Sequence, residues 1–203
     1  MPFDHNDHYH RLLLRKVPPG ALTALDVGCG TGRFARRLAA RGLRGDAIDA
    51  CPEAVAAAGT APAPGVTFRT ADVTGVDLPT AHYDLITCLA SLHHMPFGTV
   101  TALRAALAPG GTLLVLGCYP ERTPADWAVS LAAVPVNAAA RLAVAAADRI
   151  RGREPEPVRA PVRPPGTPLP QIRAEAAQLL PGSRVRRLLF WRYLLVYRDG
   201  AAG

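Results

Sequence analysis

The chain has 203 residues, 49% of them hydrophobic, which suits one domain with a full core and excludes a disordered chain. The net charge of +7 comes from the C-terminal part, because residues 141–198 hold 12 arginines against four acidic residues while residues 1–140 are balanced. A basic region can attract nucleic acid, an anionic membrane or an acidic substrate. Because no aromatic-interleaved basic motif accompanies the arginines, we favour a solvated arginine-rich surface and no nucleic-acid partner.

The predicted elements begin after a polar, histidine-rich stretch, MPFDHNDHYH. Residues 12–17 predict a short helix that ends at Pro18-Pro19-Gly20. Strands and helices then alternate, with strands predicted at 21–27, 43–49, 66–70, 83–89 and 112–118, and helices at 33–41, 52–58 and 97–108. This alternation predicts right-handed crossovers and a parallel sheet that is covered on both faces.

Residues 119–170 differ from the rest in being rich in proline and arginine around one alanine-rich helical stretch at about 125–150. We expect this insertion to shape a substrate pocket. Its segment LAAVPVNAAARLAVAAADRI could instead lie on a membrane surface, but Pro135 interrupts it, so we disfavour peripheral membrane contact. Residues 153–170 predict an extended connector, because their prolines exclude a helix or a central strand.

The C-terminal part predicts one more helix and a hairpin. The helix has Thr167 as its N-cap and Pro168 at its first position, and it ends at Pro181-Gly182. The last stretch, RVRRLLFWRYLLVYR, predicts two antiparallel strands at the edge of the sheet, with a bend near Phe190-Trp191. Of Trp191 and Tyr193, we expect one to pack in the core.

The four cysteines, at 29, 51, 88 and 118, share no metal-ligand spacing, and each follows or lies inside an apolar run. We expect them to be reduced, small hydrophobic residues.

The N-terminus lacks the basic and apolar regions of a secretory signal, and no run of ~18 uncharged apolar residues occurs. These features favour a cytoplasmic protein.

A turn with three alternate glycines follows the first predicted strand. The stretch ALDVGCGTG at 24–32 places Asp26 before Gly28, Gly30 and Gly32. Glycine at such a turn either adopts a positive φ or lets a ligand approach the backbone, and the helix that follows offers unpaired N–H groups. The turn therefore predicts a docking place for a polar small molecule. Its spacing differs from the G-x-G-x-x-G of dinucleotide sites, which disfavours a nicotinamide-dependent oxidoreductase.

Three carboxylates accompany the turn. Asp49 ends the second strand, where it can accept hydrogen bonds from both hydroxyls of a ribose. Asp72 follows the third strand, where it can accept a hydrogen bond from an adenine amine. Asp26 can hold the turn or receive a cationic amine through water. We assign no chemistry to Asp84, which lies at the start of the fourth strand.

Taken together, these residues resemble the class I S-adenosylmethionine-dependent methyltransferases. The resemblance rests on ALDVGCGTG, Asp49, ADV at 71–73, and YDLITCLASLHHM followed by LRAALAPGGTLLVLG. It implies a Rossmann-like α/β fold in a single domain over 1–203, with a doubly wound sheet of seven strands, mostly parallel with an antiparallel C-terminal strand. It also implies S-adenosylmethionine as the cofactor, bound by Asp26, Gly28, Cys29, Gly30, Gly32, Asp49, Ala50, Asp72, Val73 and Leu89.

Two groups of histidines are candidates for further roles. His93 and His94 follow the fourth strand, and either could take a proton from a hydroxyl or amine nucleophile, with a slight preference for His93. The N-terminal residues 1–20, with His5, His8 and His10, could form a lid over the cofactor. Their spacing also resembles a loose metal site, but we favour a flexible tail over a metal site and expect no metal.

The leading hypothesis is methyl transfer to a small-molecule acceptor, either a metabolite or a natural-product intermediate, by a monomer or homodimer. The N/D-P-P-Y motif of amino-methylating nucleic-acid enzymes is absent, since the chain has C-L-A-S at 88–91. The alternative is a protein that keeps the fold but binds RNA or a membrane with little catalysis.

Overall fold

The computed structural model describes residues 5–151 and 164–200. Its helices and strands alternate as the sequence predicts. The strands are β1 Thr23–Val27, β2 Arg44–Asp49, β3 Val66–Thr70, β4 Tyr83–Leu89, β5 Leu107–Cys118, β6 Arg184–Arg187 and β7 Arg192–Arg198. The helices are α1 His5–Leu14, α2 Arg33–Ala39, α3 Pro52–Gly59, α4 Val100–Ala106, α5 Pro124–Arg151 and α6 Leu169–Leu179. Among these residues, no helix is long and apolar enough to cross a membrane.

The seven strands form one sheet in the order β3-β2-β1-β4-β5-β7-β6. Strands β1 to β5 are parallel, whereas β7 is antiparallel to both β5 and β6. The predicted fold class, including the terminal hairpin at the sheet edge, is confirmed. Because β6 runs parallel to β5, the carboxyl ends of β1 to β6 meet the start of β7 at one edge, called here the carboxyl edge.

Alternate residues of the central strands enter separate cores on the two faces of the sheet. Ile86 and Val115 face a core with α4 and α6, while their neighbours Leu85 and Leu114 face a second core that includes Phe34 of α2 and residues of α1. Strands buried on both faces explain why the sequence of β4 and β5 is almost continuously apolar.

Three predicted element boundaries are wrong. The first helix spans His5–Leu14 rather than 12–17, because Tyr9 and Leu13 pack into the core and tertiary packing outweighs the polar composition. The predicted helix 97–108 is a 3-10 turn at Phe97–Thr99 followed by α4, which ends where Leu107 becomes extended and pairs with Tyr83 in β4.

The third wrong boundary is at α6, whose N-cap is the extended residue Pro168 rather than Thr167. Proline fixes φ near the value that both conformations use, so it fits the position just outside a helix as well as the first position inside. Residues 164–168 precede α6 without helix or strand. The rest of the predicted connector, at 152–163, lies outside the described residues.

Helix α5 begins with a reciprocal cap. The Thr123 hydroxyl accepts a hydrogen bond from the Asp126 N–H at 3.2 Å, and the Asp126 carboxylate accepts one from the Thr123 N–H at 2.9 Å. Asp126 also forms a buried ion pair with Arg187 of β6 at 2.6 Å, which ties the start of α5 to the hairpin. The expected interruption at Pro135 is wrong, since the helix runs through it. The carbonyl four residues earlier belongs to Leu131, which is exposed, so water can replace the hydrogen bond that proline removes.

Candidate functional site

The glycine turn lies at the carboxyl edge, between the end of β1 and the start of α2. Its glycines all have positive φ, at +70° for Gly28, +53° for Gly30 and +74° for Gly32. Other residues rarely adopt this left-handed region, so the backbone itself requires glycine here. Gly32 is also the N-cap of α2.

The three glycines meet different surroundings. A Cβ atom on Gly28 would overlap the side chain of Ser91, and one on Gly32 would lie 2.6 Å from the ring of Phe68. A Cβ on Gly30 would meet no described atom within 4 Å. Gly28 and Gly32 therefore allow close packing within the protein, whereas the backbone of Gly30 borders open space that a ligand can approach.

Asp49 is held against the same open space. One oxygen of its carboxylate accepts the Gly30 N–H at 2.8 Å, and the other accepts the Cys51 N–H at 2.9 Å. A carboxylate oxygen has two acceptor positions, so each oxygen retains one. The arrangement presents two fixed acceptors beside Gly30, which fits the two hydroxyls of a ribose. Ala50, which lies between Asp49 and Cys51 in the chain, is exposed.

Asp26 lies beneath the turn rather than in the open space. It is buried, and its carboxylate accepts the hydroxyl of Thr87 at 2.7 Å. Burial raises the pKa of Asp26 to about 6, the charge of Asp49 adds to the increase, and hydrogen bonds from Thr87 and the Ala35 backbone oppose it. Cys29 is buried at the same turn, and burial raises its thiol pKa.

Asp72 follows β3 on the surface of the carboxyl edge. Its Oδ1 accepts both the N–H of Thr74 at 2.9 Å and the Thr74 hydroxyl at 2.7 Å. These two bonds lower the pKa of Asp72, so its carboxylate is charged at neutral pH. Val73 is buried in the core next to it, which fixes the backbone at the position expected to face an adenine ring.

Ser91 is a site residue that the sequence analysis missed. Its hydroxyl donates to the carbonyl of Val27 at 2.7 Å and lies 2.9 Å from the thiol of Cys88. Ala90 adopts a left-handed φ of +53° and donates its N–H to Leu116 at 2.7 Å. These contacts join the ends of β1, β4 and β5 beside Leu89. The only signal in the sequence is a small polar residue directly after an apolar strand.

The two candidate bases lie on a 3-10 turn, Leu92–His94, just after β4. The ring of His93 is half-buried and that of His94 is exposed, with their centroids 4.0 Å apart. Both therefore lie at the carboxyl edge, as the sequence predicts. Asp84 starts the same strand at the opposite edge, where its carboxylate accepts the N–H groups of Leu22 and Thr23 at 2.8 and 2.9 Å.

Residues 5–14 form helix α1 at the carboxyl edge, so the flexible tail favoured over a metal site is wrong for these residues. Its Asp7 forms an ion pair with Arg33, the first residue of α2. On its other side, the Tyr9 hydroxyl donates to the carbonyl of Leu189 at 2.9 Å. The helix thus extends from the glycine turn to the connection between β6 and β7. Within residues 5–151 and 164–200, no three His, Cys, Asp or Glu side chains converge as metal ligands do.

The connection between β6 and β7 has an unusual backbone. Phe190 and Trp191 both adopt left-handed φ angles, +59° and +57°, as the predicted bend requires. The Trp191 indole donates to the carboxylate of Glu121, which also accepts the Ser130 hydroxyl at 2.9 Å. Tyr193 is the aromatic residue that packs in the core. Glu121 is a second residue that the sequence analysis missed, because its partner is 70 residues away.

Comparisons with known proteins agree with this geometry. The family described as "Methyltransferase domain" matches residues 24–111. An uncharacterized methyltransferase of Mycobacterium tuberculosis is 36% identical over 204 residues, with 97% of each chain covered. The chain is a class I S-adenosylmethionine-dependent methyltransferase. A SAM-dependent methyltransferase structure from Mesorhizobium loti shares the fold, with a TM-score of 0.63, 17% identity, and coverage of 96% of this chain and 100% of that one.

A ubiquinone biosynthesis O-methyltransferase of Xylella fastidiosa is 34% identical over 108 residues, covering 50% of this chain and 44% of that protein. Because the chain belongs to this family, its cofactor is S-adenosylmethionine and not a nicotinamide dinucleotide. The residues present fit that cofactor, because Gly30 leaves the backbone accessible and Asp49 presents two fixed acceptors beside it.

Proposed function

We propose that this methyltransferase methylates a small-molecule acceptor, a metabolite or natural-product intermediate, in a shielded pocket at the carboxyl edge. The observation that carries the proposal is the Asp49 carboxylate, fixed by Gly30 and Cys51 beside open space. The relative from Xylella fastidiosa, named for ubiquinone biosynthesis, supports a small acceptor. The half-buried and buried cysteines, all free thiols, support a cytoplasmic location.

The ends of four strands, β1 to β4, contribute residues to the cofactor site. Asp49 binds the ribose hydroxyls, with Ala50 beside it, and the charged Asp72 binds the adenine amine next to the backbone of Val73. The backbones of Gly28, Cys29, Gly30, Gly32 and Leu89 border the remaining part of the ligand. Asp26 holds the turn from below, where its negative charge also favours a cationic group above the glycines.

S-adenosylmethionine, when bound, supplies an electrophilic methyl group on a sulfonium. The protein orients the acceptor for in-line attack and excludes water. Helix α1 and the Phe190–Trp191 bend cover the edge from one side, and Glu121, just before α5, is bonded to that bend. His93, which is half-buried, takes the proton of a hydroxyl or amine nucleophile, and the exposed His94 is the alternative base.

Calorimetric titration with S-adenosylhomocysteine tests the cofactor site. Asp49→Asn should weaken binding by about 10- to 100-fold, the cost of losing a charged hydrogen-bond acceptor. Asp77→Asn is the matched control, because it removes an exposed carboxylate from the loop after β3 and should leave affinity unchanged. Equal affinity of both variants would contradict the role of Asp49, and binding of NADH in its place would overturn the cofactor assignment.

Transfer of a labelled methyl group to a library of small metabolites tests the acceptor class. For an acceptor whose hydroxyl or amine must lose a proton on methyl transfer, His93→Gln should lower kcat about 100-fold without changing the affinity for S-adenosylhomocysteine. His94→Gln is the paired variant, and the loss of activity in that variant alone would move the role of base to His94. Methylation of bulk RNA with no small molecule accepted would refute the proposal.

A further inference from the structure

Helix α5 exposes a continuous apolar surface. Its exposed large side chains are Trp127, Leu131, Val134 and Leu142, each between 55% and 73% exposed. At 3.6 residues per turn, these four positions fall within an arc of about 80°. We call them the apolar face of α5. Side chains exposed singly need no explanation, but four on one helix face form a contiguous patch.

The polar side chains of this segment contact the rest of the protein. Residues 127–140, WAVSLAAVPVNAAA, contain no charge, and their polar side chains are Ser130 and Asn137. Ser130 donates inward to Glu121 at 2.9 Å, and Asn137 contacts His5 of α1 at 2.9 Å. Ala133 is buried against the same side. The helix therefore directs its polar groups toward the protein and its large apolar groups toward the outside, the reverse of a helix that faces water.

Arginines lie near the start of α5. The exposed Arg122 comes just before α5, and Arg187, at the end of β6, pairs with Asp126 in its first turn. The exposed Arg184 and Arg186 belong to the same edge strand. In the sequence, residues 141–198, which include these three β6 arginines, hold 12 arginines against four acidic residues. An apolar helix face with arginine and tryptophan at its N-terminal end is typical of a helix that lies in a membrane interface.

We propose that the apolar face of α5 docks on an anionic lipid bilayer, with the helix parallel to the surface. The opposite side of α5 packs on α1 and on the Phe190–Trp191 bend, so one face alone is available to the lipid. A second copy of the chain would bring a net charge of +7 against another +7, whereas phosphatidylglycerol headgroups supply the opposite charge. RNA also carries that charge, but an uncharged apolar face offers nothing to its phosphates. The surface goes beyond the proposed reaction and does not depend on it.

Vesicle flotation of the full chain tests this surface. Vesicles with equal parts of phosphatidylcholine and phosphatidylglycerol should carry the protein, while vesicles of phosphatidylcholine alone should bind it about tenfold more weakly. Leu131→Gln should weaken binding to the anionic vesicles by about tenfold, because one exposed leucine no longer enters the apolar layer.

Leu22→Gln is the matched control. Leu22 is 68% exposed, as Leu131 is at 72%, but it lies before β1 at the opposite edge of the sheet. The control should bind vesicles as the wild type does. Circular dichroism and thermal unfolding check that both variants are folded, without any measurement of methyl transfer or cofactor binding.

Three outcomes would overturn the proposal. The first is no binding to anionic vesicles by the folded wild-type chain. The second is salt-sensitive binding that is equal in Leu131→Gln and Leu22→Gln, which would assign the contact to arginines alone. The third is a dimer in analytical ultracentrifugation that Leu131→Gln dissociates without any vesicle binding, which would assign the apolar face to a second copy.

Discussion

Different contacts hold the two halves of the carboxyl edge in place. The first half is formed by the glycine turn, and the second by α1, α5 and the β6–β7 connection. In the first half, strand ends are joined by backbone groups and a few short side chains, as when Asp49 accepts the N–H of Gly30. In the second half, long side chains join segments far apart in the chain, as when Tyr9 reaches Leu189. In the proposed function the first half binds S-adenosylmethionine and is called here the cofactor half, and the second borders the acceptor and is called here the acceptor half. The cofactor half is built into the sheet, whereas the acceptor half is assembled upon it.

The largest expected effect comes from substituting two glycines of the cofactor half, which should respond differently. Gly28→Ala should lower the free energy of unfolding by about 4 kcal/mol, because the new Cβ overlaps Ser91 and φ is +70°. Gly30→Ala should cost about 1 kcal/mol, since only its φ of +53° is strained, but it should abolish binding of S-adenosylhomocysteine. Urea denaturation and calorimetry measure both. Equal destabilisation by the two variants would show that Gly30 also packs against the protein.

A second experiment uses pH to probe the buried carboxylate beneath the turn. Burial raises the pKa of Asp26 from 3.8 to about 6, so the folded protein binds more protons than the unfolded chain between these values. The stabilisation from protonated Asp26 is fully present below about pH 4 and is lost as the pH rises through about 6, and between about pH 4 and pH 7 the change is about 2 kcal/mol. Asp26→Asn cannot titrate, so its stability relative to the wild type should rise by that amount between about pH 4 and pH 7. A constant difference in urea denaturation across this range would contradict the shifted pKa.

The smallest expected effect concerns the attachment of α1 in the acceptor half. Tyr9→Phe removes the hydroxyl that donates to Leu189, which should cost about 1 kcal/mol and speed tryptic cleavage after Arg11 or Arg15. Tyr197→Phe is the control, because it removes a hydroxyl bonded to Asp199 at 3.0 Å near the opposite edge. Affinity for S-adenosylhomocysteine should stay unchanged in both variants. If Tyr197→Phe speeds the same cleavage, α1 is not held by the Tyr9 hydroxyl.

The comparison also explains what the sequence predicts and what it does not. Alternating apolar runs predict the strands, and the glycines with Asp49 predict the cofactor half, because those features act over one strand, one turn and one helix. The docked α1 and the Glu121–Trp191 bond depend on partners 180 and 70 residues apart, which no local pattern encodes. The sequence marks the alanine-rich stretch of α5 as a candidate membrane surface, but the direction of its exposed side depends on the tertiary partners of Ser130 and Asn137.

The position of β7 has a consequence for synthesis on the ribosome. This strand lies between β5 and β6, so β5 has a neighbour on only one side until residues 192–198 have emerged. During that interval the backbone N–H and C=O groups on one side of β5 lack partners, and such an edge on a strand of apolar side chains pairs readily with other chains. Expression at lower temperature, or with chaperones that bind nascent strands, should therefore raise the yield of folded enzyme more than any change to the glycine turn.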